Sequence, residues 1–217
     1  MITTLTLLLA AAAASPSPSP ASGGLRTIAT VRATPFCTSL AQHFNGAVSP
    51  MLDNDRTLDK VDGGLVDLND VFHHPDYQIR YAGLRAQLMK QVSDIQRNLP
   101  FMQQQINLLR QGENLTKDPQ EAKQTHAIAE KLQQAYNKQY QLATDLTGVV
   151  QTLMSYQPPE DLDVATEELQ EQSIPKDMRD VKSYLRFDGQ RDVIDRAENA
   201  AADAAIELAV SRCTVQK

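Results

Sequence analysis

The chain has no tryptophan, 5% aromatic residues, four histidines and two cysteines in 217 residues. Each scarcity excludes something. With so few rings there is no stacking platform for bases or sugars. The histidines, at 43, 73, 74 and 126, fall in no Glu-x-x-His pair, the i, i+3 arrangement that di-iron carboxylate bundles use to hold their metals. Cys-x-x-Cys-His, the attachment sequence for covalent haem, is missing too. So are Ser-His-Asp, Cys-His and phosphate-loop patterns. Charge of one sign is also absent as a block. The 21 basic residues are scattered against 27 acidic ones, for a net charge of −6, which argues against a nucleic-acid face.

One apolar run stands out. Met1 to Ala14 (MITTLTLLLAAAAA) is of signal-peptide length and falls short of the roughly 18 residues that span a bilayer. A signal peptide is therefore expected within residues 1–21, with cleavage near 14 (Ala12-x-Ala14) or 21 (Ser19-x-Ala21), although no Lys or Arg precedes the apolar run. Residues 15–35 read as a disordered Pro/Ser/Gly linker (SPSPSPASGG) and an extended lead-in, with Thr27 to Arg32 (TIATVR) as the nearest thing to a strand pattern. Pro/Ser/Gly stretches have too little apolar surface to order themselves. The expected destination is periplasmic or extracellular, without an integral membrane span after leader removal.

The domain expected over 36–214 is governed by a seven-residue period. In the first segment Cys37, Phe44, Met51, Leu58, Leu65 and Phe72 form one row, and Leu40, Ala47, Asn54, Val61 and Leu68 another. Such rows share one helical stripe, as in coiled-coil heptads. Pro50 predicts a kink and Gly63-Gly64 a possible break. The second stripe is Leu88, Val92, Ile95, Leu99, Met102, Ile106 and Leu109, passing Pro100 in register and stopping at Gly112. Asp118-Pro119-Gln120-Glu121 marks a third start, with Asp as N-cap and Glu placed for a capping box. Its rows run Thr125, Leu132, Gln139, Leu146, Leu153 and Ile128, Ala135, Leu142, Val149, Tyr156, up to Pro158-Pro159. A short acidic helix is predicted over Glu160 to Gln172. A last long segment follows from about Lys176 to Cys213, with an apolar face of Met178, Val181, Leu185, Ile194, Ala197, Ala201, Ala204 and Leu208 and a possible interruption at Asp188-Gly189.

Four long amphipathic segments joined by short turns predict an all-α fold: an elongated antiparallel up-down-up-down four-helix bundle with a short acidic helix between helices 3 and 4. That topology returns the end of the last helix to the start of the first. Cys37 and Cys213 occupy those two places, so a disulfide between them is expected in an exported chain.

Candidate sites are few. Asn54 and Gln139 are amides in core rows, where they would set register. His73 and His74, in the first turn, share a pole with Glu160, Asp161 and Asp163, and imidazole with carboxylates is a donor set for Zn²⁺ or another divalent ion. Neither group resembles a catalytic site. The function expected is an exported, non-enzymatic interaction or scaffold module, monomeric or homodimeric, whose partner is a protein of the cell envelope or exterior. It needs no cofactor and binds no nucleic acid. The alternative is a small-ligand, haem or metal carrier using the bundle interior or the His73/His74 pole.

Overall fold

A computed structural model describes residues 25–29, 32–158 and 180–214. The chain forms an antiparallel bundle of long helices: α1 (Pro35–Asp70), α2 (Tyr77–Gln111), α3 (Pro119–Ser155) and, as the fourth column, a short α4 (Val181–Leu185) followed by α5 (Phe187–Arg212). Single 3₁₀ turns follow α1 (Val71–His73) and α2 (Gly112–Leu115). Among the described residues there is no strand, and no helix is long and apolar enough to cross a membrane. The leader, the Pro/Ser/Gly linker, the acidic helix expected over Glu160 to Gln172 and the expected start of the last segment at Lys176 to Met178 lie outside the described residues.

The helices start where the sequence supplies caps. Thr34 Oγ1 accepts the Cys37 N–H at 3.1 Å, and Asp118 Oδ1 accepts the Gln120 N–H at 2.8 Å, each ahead of a proline at the first helical position. The reciprocal half of the α3 capping box is diverted, because the Glu121 carboxylate accepts from the Thr116 hydroxyl instead. The heptad rows of α1 and α3 and the α2 stripe all face the core; of the residues in them only Tyr156 is half-buried.

Two boundaries differ from the sequence expectation, and a third falls where expected with a different backbone conformation. Helix α1 runs through Gly63-Gly64 without a break. Two glycines cost about 1 kcal/mol each in a helix, and the fully buried Val61, Leu65 and Leu68 around them outweigh that. Gly112 does end α2, but at φ −59 rather than in the left-handed region. What needs glycine there is space, since a Cβ would stand 3.0 Å from Ser39 Oγ. The fourth column breaks at Arg186 and not at Gly189: Arg186 adopts φ 49, ψ 42 between α4 and α5. Leu185 and Phe187 are both buried, yet two residues apart on one helix they would point about 200° away from each other. A break between them lets both face inward.

The face of α5 matches the expected one at Ile194, Ala201 and Leu208 and departs from it by one residue in between. Ile194, Glu198, Ala201, Ala205 and Leu208 are buried, while Ala197 and Ala204 are only half-buried.

Packing is most extensive between α1 and α2, then between α3 and α5 and between α2 and α3; of the four sides of the bundle, α1–α5 is the most sparsely packed. At one pole Cys37 and Cys213 are bonded, with Cα atoms 5.5 Å apart. The extended lead-in joins this pole: Leu25 and Ile28 are buried, Asn45 exchanges two 2.8 Å hydrogen bonds with the Ile28 backbone, and the Arg32 N–H donates to the Cys213 carbonyl at 2.9 Å. At the other pole Phe72, Tyr81 and Tyr156 pack at ring-centroid distances of 5.6 to 6.1 Å. There the Tyr81 hydroxyl donates to the Leu153 carbonyl at 2.7 Å, and burial pushes its pKa up to about 12.

Candidate functional site

Halfway along the bundle, a polar layer crosses the apolar core. Asn98 of α2 donates to Asn54 of α1 at 2.8 Å; Asn54 donates to Gln139 of α3 at 2.9 Å; Gln139 donates to Glu198 Oε1 of α5 at 2.7 Å. Glu198 also brings a carboxyl oxygen within 4.8 Å of one from Asp55, back on α1 beside Asn54. The chain of donors therefore visits all four columns and ends beside its first helix. Asn54, Gln139 and Glu198 are 0, 1 and 2% exposed.

Such burial requires partners, because an unpaired amide or carboxyl in the core costs about 1–3 kcal/mol or more. It also sets protonation. Burial, then the neighbouring Asp55 charge, pushes the Glu198 carboxyl up to about 9. Burial likewise raises Asp55 to about 6, while its hydrogen bond with Glu198 and the Arg191 guanidinium pull it down. Both carboxyls are thus pushed toward the neutral form, the more deeply buried Glu198 the more strongly.

One carboxylate oxygen from each of Asp55, Asp195 and Glu198 lies within 4.8 Å of the others. Arg191 already sets a cation against this group: its Nη2 is 2.9 Å from Asp59 Oδ1 and its Nη1 is 3.7 Å from Asp55 Oδ1. That second distance is too long for a hydrogen bond, and Asp55 Oδ1 is buried without one. Arg191 thus offsets part of the charge of the cluster.

Of the residues singled out by sequence, the two core amides come together in a direct hydrogen bond, and the two cysteines pair. The histidines do not converge. His74 contacts Asp70 at 3.1 Å within its own turn, and His73 is exposed. Glu160, Asp161 and Asp163, the proposed acidic partners of that pole, lie outside the described residues. His43 pairs with Gln105 at 3.0 Å and His126 with Glu113 at 2.9 Å, on separate faces. Sequence reasoning missed Asp55 and Glu198. A signal for Glu198 exists: Ile194, Glu198, Ala201, Ala205 and Leu208 step by four and three along a seam.

Residues Thr144, Gly148, Thr152 and Tyr184 line an open groove of about 510 Å³ between α3 and α4, outside the polar layer. No protein-family model matches the chain, no curated protein matches it, and no solved structure matches its fold. A four-column bundle with a buried polar layer at its middle is what the residues themselves define.

Proposed function

We propose that the protein is an exported, non-enzymatic interaction or scaffold module, presenting the outer faces of a rigid bundle to a protein of the envelope or exterior. The observation that carries this reading is the use made of the interior. From the disulfide to the aromatic pole, the inward rows of every long helix pack on one another as one continuous core, and Asn54, Gln139 and Glu198 hydrogen-bond one to the next across the layer. Side chains left for work are therefore on the surface, including exposed Ile79, Phe101, Tyr140 and Tyr184. The bonded cysteines support an oxidising compartment.

The test is fractionation of the native host, followed by photo-crosslinking from Phe101 and Tyr184 and reciprocal capture. An extracytoplasmic protein with no alkylatable thiol and one reciprocally captured partner is the expected result. A cytosolic protein with free thiols would overturn it. Purification from that compartment with a stoichiometric haem, metal or small molecule would establish the carrier reading in its place.

A further inference from the structure

The seam between α1 and α5 differs from the other three sides of the bundle. It is the most sparsely packed side, and ion pairs cross it. Lys182 of α4 pairs with Asp62 at 2.7 Å, Arg191 reaches Asp59 at 2.9 Å, and the Asp55–Glu198 carboxyl pair follows toward the disulfide. The exposed Arg26–Asp203 pair at 3.1 Å lies nearer the stapled end. Every group facing Glu198 can be named. From α1 come Asp55 and, further off, Asp59; from α5 itself come Asp195 and Arg191. From α3 and α2 come only the neutral amides Gln139 and, through Asn54, Asn98.

This distribution leaves one cation against four carboxyls. Arg191 is directed at Asp59 and Asp55, and among the described residues no Lys or Arg forms an ion pair with Glu198. The Glu198 carboxyl, 2% exposed, can stay in the core only as a neutral acid. Once ionised, it would set a second buried negative charge against Asp55, with Gln139 as its one amide donor. Like charges at that range in a desolvated site repel strongly.

We propose that the mid-bundle layer is a pH-operated latch on the α1–α5 seam, closed while Glu198 and Asp55 hold one proton between them and loosened when that proton leaves. The disulfide keeps the two helices together at one pole, so loosening spreads along the seam from the layer toward Arg191 and Lys182 and leaves the α1–α2 contact in place. This inference does not depend on the identity of any partner.

The direction follows from linkage. Both carboxyls have folded pKa values above their ordinary ones, Glu198 at about 9 against 4.5 and Asp55 at about 6 against 3.8. As pH rises past about 4 the unfolded chain gives up these protons while the folded one keeps them, so stability falls with pH until the folded carboxyls are themselves ionised. The layer is at full strength in acid and weakest above about pH 9. Exposed Asp76 and Asp180, held low by hydrogen bonds from Arg80 and Ser183, act in the opposite sense at the acid end. The informative quantity is therefore a difference between variants at each pH.

The experiment compares thermal melting of the oxidised protein with that of Glu198→Gln from pH 4 to 9.5. Glutamine has the shape and hydrogen-bonding capacity of the neutral acid, with an oxygen for Gln139 and an N–H for Asp55. The two proteins are expected to melt alike near pH 4 and to diverge as pH rises, the variant melting several degrees higher at pH 9. Amide protection of α5 in the wild type, corrected for intrinsic exchange, should fall by about tenfold or more between pH 6 and 9 and stay level in the variant. If Glu198→Gln does not fold, Asp55→Asn serves instead: removing the neighbouring charge should flatten the wild-type slope. A melting difference that is constant across the pH range, or equal slopes in wild type and Asp55→Asn, would overturn the latch.

Discussion

Glu198 of α5 accepts a hydrogen bond from Gln139 at 2.7 Å and holds a carboxyl oxygen within 4.8 Å of one from Asp55 of α1, so two acids meet across the most sparsely packed side of the bundle. The pair stands at the end of a path of hydrogen bonds that begins at Asn98 and passes through Asn54 and Gln139. Each member depends on the next.

That dependence is measurable. Replacing Gln139 with leucine removes the acceptor of Asn54 and the donor to Glu198 together, and should cost about 1–3 kcal/mol in urea unfolding. A double-mutant cycle with Asn54→Leu should return a coupling of about 0.5–3 kcal/mol, the range for residues in one buried network. Additivity would show that the two amides act separately.

The disulfide joins residues separated by 176 positions, and closing so long a loop in the unfolded chain corresponds to about 5 kcal/mol by chain entropy alone. Cys37→Ser with Cys213→Ser should lower unfolding stability by about 2–5 kcal/mol. The helical signal in circular dichroism should stay, because the core rows are unaltered. The comparison is equilibrium denaturation of both forms.

Gly63, Gly83 and Gly148 lie in helix interiors with nothing within 4 Å of where a Cβ would stand. Alanine at each should add about 0.5–1 kcal/mol, chiefly by restricting the unfolded chain. Gly64 is the internal control: its Cβ would meet Leu88 Cδ2 at 3.1 Å, so Gly64→Ala should melt below Gly63→Ala.

Arg186 carries a left-handed backbone, φ 49, at a cost of roughly 1–2 kcal/mol for an L-residue. Glycine there should raise stability by up to about 1 kcal/mol, offset in part by its greater freedom when unfolded. Valine, whose branched Cβ suits that region poorly, should lower it. The order Gly above Arg above Val in urea midpoint is the expected outcome.

The amphipathic columns were legible because α1, α2 and α3 place large side chains at every seam position, and Leu, Ile, Met and Phe every three or four residues leave one frame only. The disulfide was legible for the same reason, since the topology brings the two cysteines to one pole. Helix α5 was different. In Ala197 to Ala205 alanines occupy several faces, so a frame through Ala197 and Ala204 looks as apolar as the observed one through Glu198 and Ala205. With the frame one residue off, Glu198 reads as solvated, and its partner Asp55 reads as the exposed neighbour of Asn54. The break at Arg186 was hidden too, because glycine at 189 offered a more familiar place for it. Burial of both Leu185 and Phe187 decided the matter.

The account rests most directly on the protonation of Glu198. Carbon-13 labelling of glutamate side chains, with the Glu198 carboxyl signal identified by its absence in Glu198→Gln, follows that one group through a pH titration by NMR. The account requires the signal to remain that of a neutral acid at pH 7 and to titrate near pH 9. A midpoint close to 4.5, with the protein folded throughout, would contradict it.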